Sequence, residues 1–228
     1  MKAPCVLAAA LCLATVPHAV QASDRPFLAT STAAAEDDDD QVWSVETWWQ
    51  RAGSQHSFHV APEYAFNPTT SIQLEAARGS DGSQGLELDF KRLFNHIGRD
   101  GWGWGMTLSL GAGRTGSSGW RAKELAFKLP WSLNVRDGEA QLHVNAGLLK
   151  ERGERREWVV SAAFEHKLAS RTSAFVELAR EDRQTLWHVG ARHWIRHEKL
   201  ALDFSVQHLR EGADQASGVV IGLAWHDL

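Results

Sequence analysis

The sequence predicts an all-β fold, a single antiparallel up-and-down transmembrane β-barrel of about 12 strands. Three observations lead to this prediction. Apolar and polar side chains alternate with a period of two after residue 40, and most of the alternating runs are roughly ten to twelve residues long. Tryptophan and phenylalanine also collect near the ends of these runs, as in the aromatic girdles of membrane barrels.

Residues 1–22 are predicted to be a cleaved signal peptide. Lys2 gives a basic start, residues 5–16 give an apolar core of secretory length, and the closing VQA offers small residues to signal peptidase. The stretch is too short for a convincing membrane helix. Both cysteines, Cys5 and Cys12, lie within it. The mature chain would therefore have no thiol for a disulfide, a metal site or a nucleophile.

Residues 23–41 are predicted to be a flexible acidic linker. The stretch SDRPFLATSTAAAEDDDD is rich in small and polar residues and ends in Glu36 and four aspartates. Like charges repel, so such a run favours a solvated chain. A calcium site is conceivable, but a contiguous run lacks the alternating ligands of a dedicated loop. The formal net charge of −4 and the lack of a basic stripe argue against a nucleic-acid partner.

Residues 42–228 are predicted to form the barrel. In SIQLEA, for example, Ile72 and Leu74 share one face of a strand while Gln73 and Glu75 share the other. Stretches such as FNPTT and RGSDGSQ supply turn residues, and the connections are short enough for antiparallel neighbours. The run lengths fit the roughly 9–11 residues of a tilted transmembrane strand. The predicted strands cover residues 42–51, 56–66, 69–78, 84–95, 102–114, 119–133, 139–150, 156–167, 172–182, 185–196, 199–209 and 217–228.

Bulky aromatic side chains are predicted to form two rings around an aliphatic band. One ring would hold Phe66, Phe94, Trp102, Trp131, Trp194 and Trp225, and the other Trp49, Phe58, Trp120, Trp158 and Trp187. An even strand number also returns the C-terminus to the side of the N-terminus. The final GVVIGLAWHDL is then expected to pair with VWSVETWWQ and remove both sheet edges. A soluble or periplasmic β-barrel is the alternative.

Short motifs in both halves of the chain resemble a known family. They are APEYAF, GLELDFKRLF, LHVNAGL, AFVELAREDR, HVGARHWI, LALDFSV and GVVIGLAW. Their order resembles that of bacterial outer-membrane β-barrels described as transporters, including the phenol-degradation-pathway outer-membrane protein family. The resemblance spans roughly residues 42–228 and implies an outer-membrane channel or transporter-like barrel, without identifying a solute. One departure is that Trp225 is followed by HDL, where such proteins commonly end in an aromatic residue.

If the apolar faces contact lipid, the alternate positions face the lumen and include more acids than bases. The candidates for lining the lumen or contacting a solute are Glu63, Glu75, Glu87, Asp89, His143, Glu165, Glu177, His188, Arg192 and Asp203. Such a lumen should favour cations over anions. Small residues along 103–113 would leave room for water or a ligand. A narrow conduit and a plugged barrel both remain open, since about twelve strands lies between filled barrels and wide porins.

Three further interpretations concern these inward positions. Glu177, Arg192 and Asp203 lie on successive strands and are predicted to form an interior charge cluster with a structural pairing role. His143, Ser161 and Glu165 share inward parity, so a Ser/His/acid site is geometrically possible, but no nucleophile-elbow pattern accompanies it. The histidines lack the spacing of a metal site on strands, so no metal and no cofactor are expected.

The sequence therefore predicts a passive, non-enzymatic channel for small solutes in the outer membrane of a Gram-negative bacterium, reached by signal-directed export. Its expected partners are outer-membrane lipid, the outer-membrane assembly machinery and a small-molecule solute. The alternatives are a lipid-modifying, deacylase-like barrel enzyme and a structural barrel that does not conduct.

Overall fold

A computed structural model describes residues 26–33, 41–95, 97–136, 138–181 and 184–228. Across these residues, twelve antiparallel strands close into one barrel, which confirms the predicted fold class. The strands are β1 (Val42–Ala52), β2 (Gln55–Asn67), β3 (Thr70–Gly79), β4 (Gln84–Leu93), β5 (Trp102–Arg114), β6 (Arg121–Val135), β7 (Ala140–Glu151), β8 (Arg156–Ala169), β9 (Thr172–Glu181), β10 (Gln184–Arg196), β11 (Leu200–Glu211) and β12 (Asp214–Trp225). The predicted signal peptide, residues 1–22, lies outside the described residues.

The first and last strands close the barrel. Trp49 pairs with Ile221 and Val45 pairs with Trp225, so β1 and β12 satisfy each other's backbone groups. The C-terminal HDL continues this pairing, because the Leu228 amide donates to the carbonyl oxygen of Trp43 at 2.9 Å. The expected pairing of GVVIGLAWHDL with VWSVETWWQ is therefore confirmed.

The turns between the strands are short. The β1–β2 and β11–β12 connections contain Gly53 and Gly212, each at a φ of +58°, a backbone conformation that glycine adopts without strain. The stretch GRDG between β4 and β5 lies partly in a helical turn, α1 (Ile97–Asp100), which buries Ile97. Within the described ranges, no helix has the length and apolarity required to cross a membrane.

The two faces of the wall differ in polarity. Large apolar side chains are exposed on the outside along the strands, including Leu88, Leu110, Phe204 and Ile221. The alternate positions point inward and are buried and largely polar. This pattern is the reverse of a water-soluble barrel, whose apolar face would be inside, and it is typical of a barrel that contacts lipid.

Exposed aromatic side chains lie near both rims. One rim, here called the terminal rim, contains the start of β1 and the end of β12, and it carries Phe66, Phe94, Trp102 and Trp225. The opposite rim, here called the far rim, carries Phe58, Trp120, Trp158 and Trp187.

Trp194 departs from the predicted outer ring. Its ring lies 5.5 Å from the Arg192 guanidinium carbon and 5.7 Å from the His226 ring, and both of those residues are buried. The reason is parity, since residues 192 and 194 share one face of β10. The prediction had placed Trp194 by height along the strand alone.

The candidate site in the barrel lumen

The ten predicted lumen residues all have side chains on the interior face. Nine of them are buried, and Glu165 is half-buried. Glu165 lines a pocket at the terminal rim together with Gln141, Lys167 and Trp194. The predicted parity therefore placed these side chains inside the barrel. Which of them meet is decided by strand register.

Glu177, His188 and Ser205 form a hydrogen-bonded chain across β9, β10 and β11. Nδ1 of His188 lies 2.9 Å from Oε2 of Glu177, and its Nε2 lies 2.6 Å from the Ser205 hydroxyl oxygen. With the proton on Nδ1, the imidazole donates to the carboxylate and accepts from the hydroxyl. All three side chains are fully buried or nearly so.

Arg192 and Asp203 form a separate buried pair. The guanidinium donates to both carboxylate oxygens, at 2.7 and 2.9 Å, and a second acid, Glu46, lies 3.9 Å away. The prediction that Arg192, Asp203 and Glu177 form one cluster is therefore wrong. Arg192 faces Ser173 on β9, and Glu177 lies four residues further along that strand, about 13 Å away at roughly 3.3 Å per residue.

A second chain of the same kind lies nearer the far rim. His59 bonds the Glu75 carboxylate through Nδ1 at 2.6 Å and the Ser57 hydroxyl through Nε2 at 2.8 Å. The indole of Trp48 stacks on the imidazole, with centroids 4.6 Å apart and planes inclined by 10°. Both Ser/His/Glu chains are buried, and their side chains satisfy one another's polar groups across neighbouring strands.

The hypothetical Ser161/His143/Glu165 arrangement is not assembled. Nδ1 of His143 lies 2.7 Å from the hydroxyl oxygen of Ser132 on β6, and His143 faces Ala163 across the β7–β8 pair. Ser161 faces Asn145 instead. Shared parity puts side chains on one face, but a base also has to lie within hydrogen-bond reach of its nucleophile.

Four carboxylates on β3, β4 and β6 form what is here called the acidic row: Glu75, Glu87, Asp89 and Glu124. Glu75 and Glu87 are directly opposite each other, and Glu87 is separated from Glu124 only by Gly111 of β5. The charged neighbours of Glu87 include the other three acids and one cation, Lys128. Like charges facing each other destabilise a sheet, so a mobile cation in the lumen would stabilise this row.

The small residues of β5 leave space that a side chain of β6 and the backbone of residue 33 occupy. A Cβ at Gly111 would lie 2.7 Å from the Oε1 atom of Glu124, and a Cβ at Gly103 would lie 2.3 Å from the carbonyl oxygen of Ala33. Both distances are too short for any larger residue without displacement of a neighbour. The predicted open space beside β5 is therefore partly filled.

Residues 26–33, here called the lumen segment, run through the interior of the barrel. Seven of the eight residues are buried, and Leu28 is half-buried. The prediction of a solvated linker over residues 23–41 is thus wrong for the lumen segment, while residues 23–25 and 34–40 lie outside the described residues. The segment, PFLATSTA, has no ionisable side chain, so its burial costs no charge desolvation. That uncharged composition is the signal that separates it from the acidic run.

The lumen segment is bound mainly through its backbone. Glu177 accepts hydrogen bonds from the amides of Leu28, Ala29 and Thr30 at 2.7–2.9 Å. Further contacts come from three side chains of β6 and β7. Asn145 bonds both the amide and the carbonyl of Ser31, Ser132 accepts from the Ala33 amide, and Lys128 donates to the Ala29 carbonyl.

Metal binding has no candidate among the residues described, since no group of three or more His, Cys, Asp or Glu side chains could hold an ion. Among the buried histidines, His59, His143 and His188 are instead engaged with hydroxyl or carboxylate groups of neighbouring strands.

Solved structures with a similar fold include two porins and an outer membrane protein. The KdgM porin in complex with disordered oligogalacturonate superposes with a TM-score of 0.65 at 14% identity, covering 80% of this chain and 98% of that one. The NanC porin gives 0.62 at 7% identity, with 80% and 98% covered. Omp33 of Acinetobacter baumannii gives 0.54 at 7% identity, with 83% and 99% covered.

At these identities the similarity establishes the fold. No family model matches the sequence, and no curated protein matches it. The predicted resemblance to bacterial outer-membrane β-barrels is therefore confirmed for the fold, whereas membership of the phenol-degradation-pathway family is not confirmed.

Proposed function

We propose that this chain is a passive outer-membrane channel for small solutes, with a lumen that favours cations. The observation that carries the proposal is the closed barrel with an apolar exterior and a charged interior. A barrel that served only as a membrane anchor could fill its interior with apolar side chains. The KdgM and NanC porins, which have a similar fold, add support.

The outer surface supports the membrane location. Exposed apolar residues form a band between two aromatic rims, which matches the hydrocarbon core and its two interfaces. Export by a signal peptide, insertion by the outer-membrane assembly machinery and contact with outer-membrane lipid belong to this proposal.

The charge of the interior supports the preference for cations. Among the described residues, seven buried carboxylates face three buried basic side chains. The acids are Glu46, Glu63, Glu75, Glu87, Asp89, Glu177 and Asp203, and the bases are Lys91, Lys128 and Arg192. Rings of carboxylates select for cations in channels. The lumen segment bonds to β6, β7 and β9, so a conducting path lies along the acidic row or opens when the segment moves.

The structure also identifies the better side chains for a selectivity test. Charge reversal at Glu177 and Asp203 is an obvious choice from sequence, but Glu177 holds the lumen segment and Asp203 pairs with Arg192. Glu87 and Asp89 belong to the acidic row and are the appropriate targets.

The test is the reversal potential in planar lipid bilayers under a potassium chloride gradient. The natural chain and a variant lacking residues 26–33 are expected to favour K⁺, and Glu87→Gln with Asp89→Asn should shift the permeability ratio towards one. Asp214→Asn, at the exposed far rim, is the matched control and should leave the ratio unchanged. An unchanged ratio in the double variant would refute the acidic filter. Absence of conductance in both the natural chain and the variant lacking residues 26–33 would refute the channel.

A further inference from the structure

We propose that the lumen contains a binding site for a short, uncharged peptide, which residues 26–33 of the same chain occupy in this structure. When the segment is removed or displaced, the site takes a peptide of the same chemistry in trans. This inference goes beyond the channel proposal, because peptide binding does not require the barrel to conduct.

The first argument is that the barrel wall recognises the peptide backbone. The carboxylate of Glu177 accepts three consecutive amides, Leu28 through Oε2 at 2.8 Å and Ala29 and Thr30 through Oε1 at 2.9 and 2.7 Å. His188 donates to the same carboxylate, at 2.9 Å from Oε2. A carboxylate has about four lone pairs to offer, so these donors use its full capacity.

Asn145 hydrogen-bonds both backbone groups of the next residue, Ser31, as a neighbouring β-strand would. Its Oδ1 accepts from the Ser31 amide at 2.8 Å, and its Nδ2 donates to the Ser31 carbonyl oxygen at 2.8 Å. Ser132 then accepts from the Ala33 amide at 2.7 Å. Every peptide residue except proline offers these amide donors, so the contacts recognise a peptide backbone rather than a particular sequence.

The second argument is that two pockets select the side chains at one end of the segment. Phe27 is buried against Ala163 and Phe175, with ring centroids 5.6 Å from Phe175 and 5.3 Å from His143. Leu28 packs against the cluster of Trp48, Ala61 and Val220 on β1, β2 and β12. An aromatic residue followed by an aliphatic residue therefore fits this end of the site.

The third argument is that the wall packs closely against the other end of the segment, where the buried residues are small. The Cβ of any residue at position 103 would lie 2.3 Å from the carbonyl oxygen of Ala33. Thr30, Ser31 and Ala33 are fully buried or nearly so. The preferred ligand is thus an uncharged peptide with an aromatic and an aliphatic residue, followed by several small ones.

The charged groups of the site favour an occupant without ionised side chains. The carboxylate of Glu177 and the ammonium of Lys128 already supply charged partners to the backbone, and an added ionised side chain would be buried without a partner in place. Release of the segment would return the Glu177 carboxylate to the lumen. Release of the segment would therefore make the lumen more negative and widen its free cross-section at the same time.

The experiment measures binding of a synthetic peptide with the sequence of residues 26–33, carrying a fluorophore at its C-terminus. Fluorescence anisotropy is recorded with the detergent-solubilised variant that lacks residues 26–33, after its folding has been checked by heat-modifiable gel mobility. Saturable binding is expected. The intact chain should bind at least about tenfold more weakly, because a tethered segment competes at an effective concentration in the millimolar range.

Matched variants assign the binding to the site. In the shortened barrel, Glu177→Gln should weaken binding by about 10- to 100-fold, since hydrogen bonds to a charged acceptor are the strongest ones lost. Glu198→Gln, an exposed glutamate in the β10–β11 turn, should have no effect. A peptide with Phe27→Asp should bind poorly. Equal binding of the natural and altered peptides, or no binding to a folded shortened barrel, would overturn the proposal.

A second measurement covers the case in which the shortened barrel does not fold. Hydrogen exchange of the intact chain should show the amides of residues 28–31 and 33 protected, and millimolar free peptide should speed their exchange at least about tenfold. Exchange that does not change with peptide would overturn the proposal. Both measurements are independent of conductance, so failure of the channel proposal leaves them interpretable.

Discussion

The loss of stability on removing the Arg192 guanidinium shows how strongly water screens charges in this part of the lumen. The change is Arg192→Met, which keeps a long side chain but leaves Asp203 and Glu46 buried without their cation. In the natural chain the guanidinium is bidentate to Asp203 and lies 3.9 Å from Glu46. The free energy of unfolding is expected to fall by about 3–5 kcal/mol, the typical cost of breaking a buried pair.

The size of this loss depends on the local dielectric. Two unit charges about 4 Å apart attract by about 4 kcal/mol at an effective dielectric constant of about 20, but by only about 1 kcal/mol in bulk water. Arg192 and Asp203 are 6% and 3% exposed, so the structure favours the larger value. A water-filled lumen at this depth would give the smaller one.

The assay is urea unfolding of the barrel in lipid vesicles, followed by tryptophan fluorescence. The matched control is Lys199→Met, which removes the cation of an exposed ion pair with Asp227 and should cost less than about 1 kcal/mol. If Arg192→Met costs no more than this control, water screens the interior pair. The expectation that water is excluded from that part of the lumen would then be refuted.

Two further outcomes follow from contacts inside the wall. Gly147→Val should lower the free energy of unfolding by about 1–3 kcal/mol, because its Cβ would lie 2.3 Å from the Phe127 carbonyl oxygen. Gly119→Val, where a Cβ has no neighbour within 4 Å, should leave the urea midpoint in place, and equal effects would contradict this reasoning. His143→Ala should leave the acyl-chain content of outer-membrane lipid unchanged in mass spectrometry, because its imidazole bonds to Ser132 rather than Ser161. If the natural protein removed acyl chains and the His143→Ala variant left them in place, the deacylase alternative would be restored.

Much of the wall was predictable because its pattern is local. Alternation in SIQLEA or LALDFSV follows from neighbouring residues alone, so it fixed which side chains face inward, including Glu87 and His188. The predicted strand ends agree with the structure to within a few residues for most strands. A strand needs only its own sequence to present two different faces.

Contacts between inward side chains of neighbouring strands were less predictable because they depend on register. Glu177 and Arg192 have the same inward parity, yet Glu177 meets His188 while Arg192 meets Asp203. His143 pairs with Ser132 rather than Ser161 for the same reason. A shift along one strand changes such partners without changing the alternation that is visible in sequence.

The sequence by itself determined the twelve-stranded wall, its apolar exterior and its polar interior, because a two-residue period depends only on the chain near each residue. Only the tertiary structure decided what fills the interior. Residues 26–33 find Glu177, Asn145 and Ser132 at sequence separations of 99–149 residues. Those partners converge only when β12 has closed on β1 and the lumen exists.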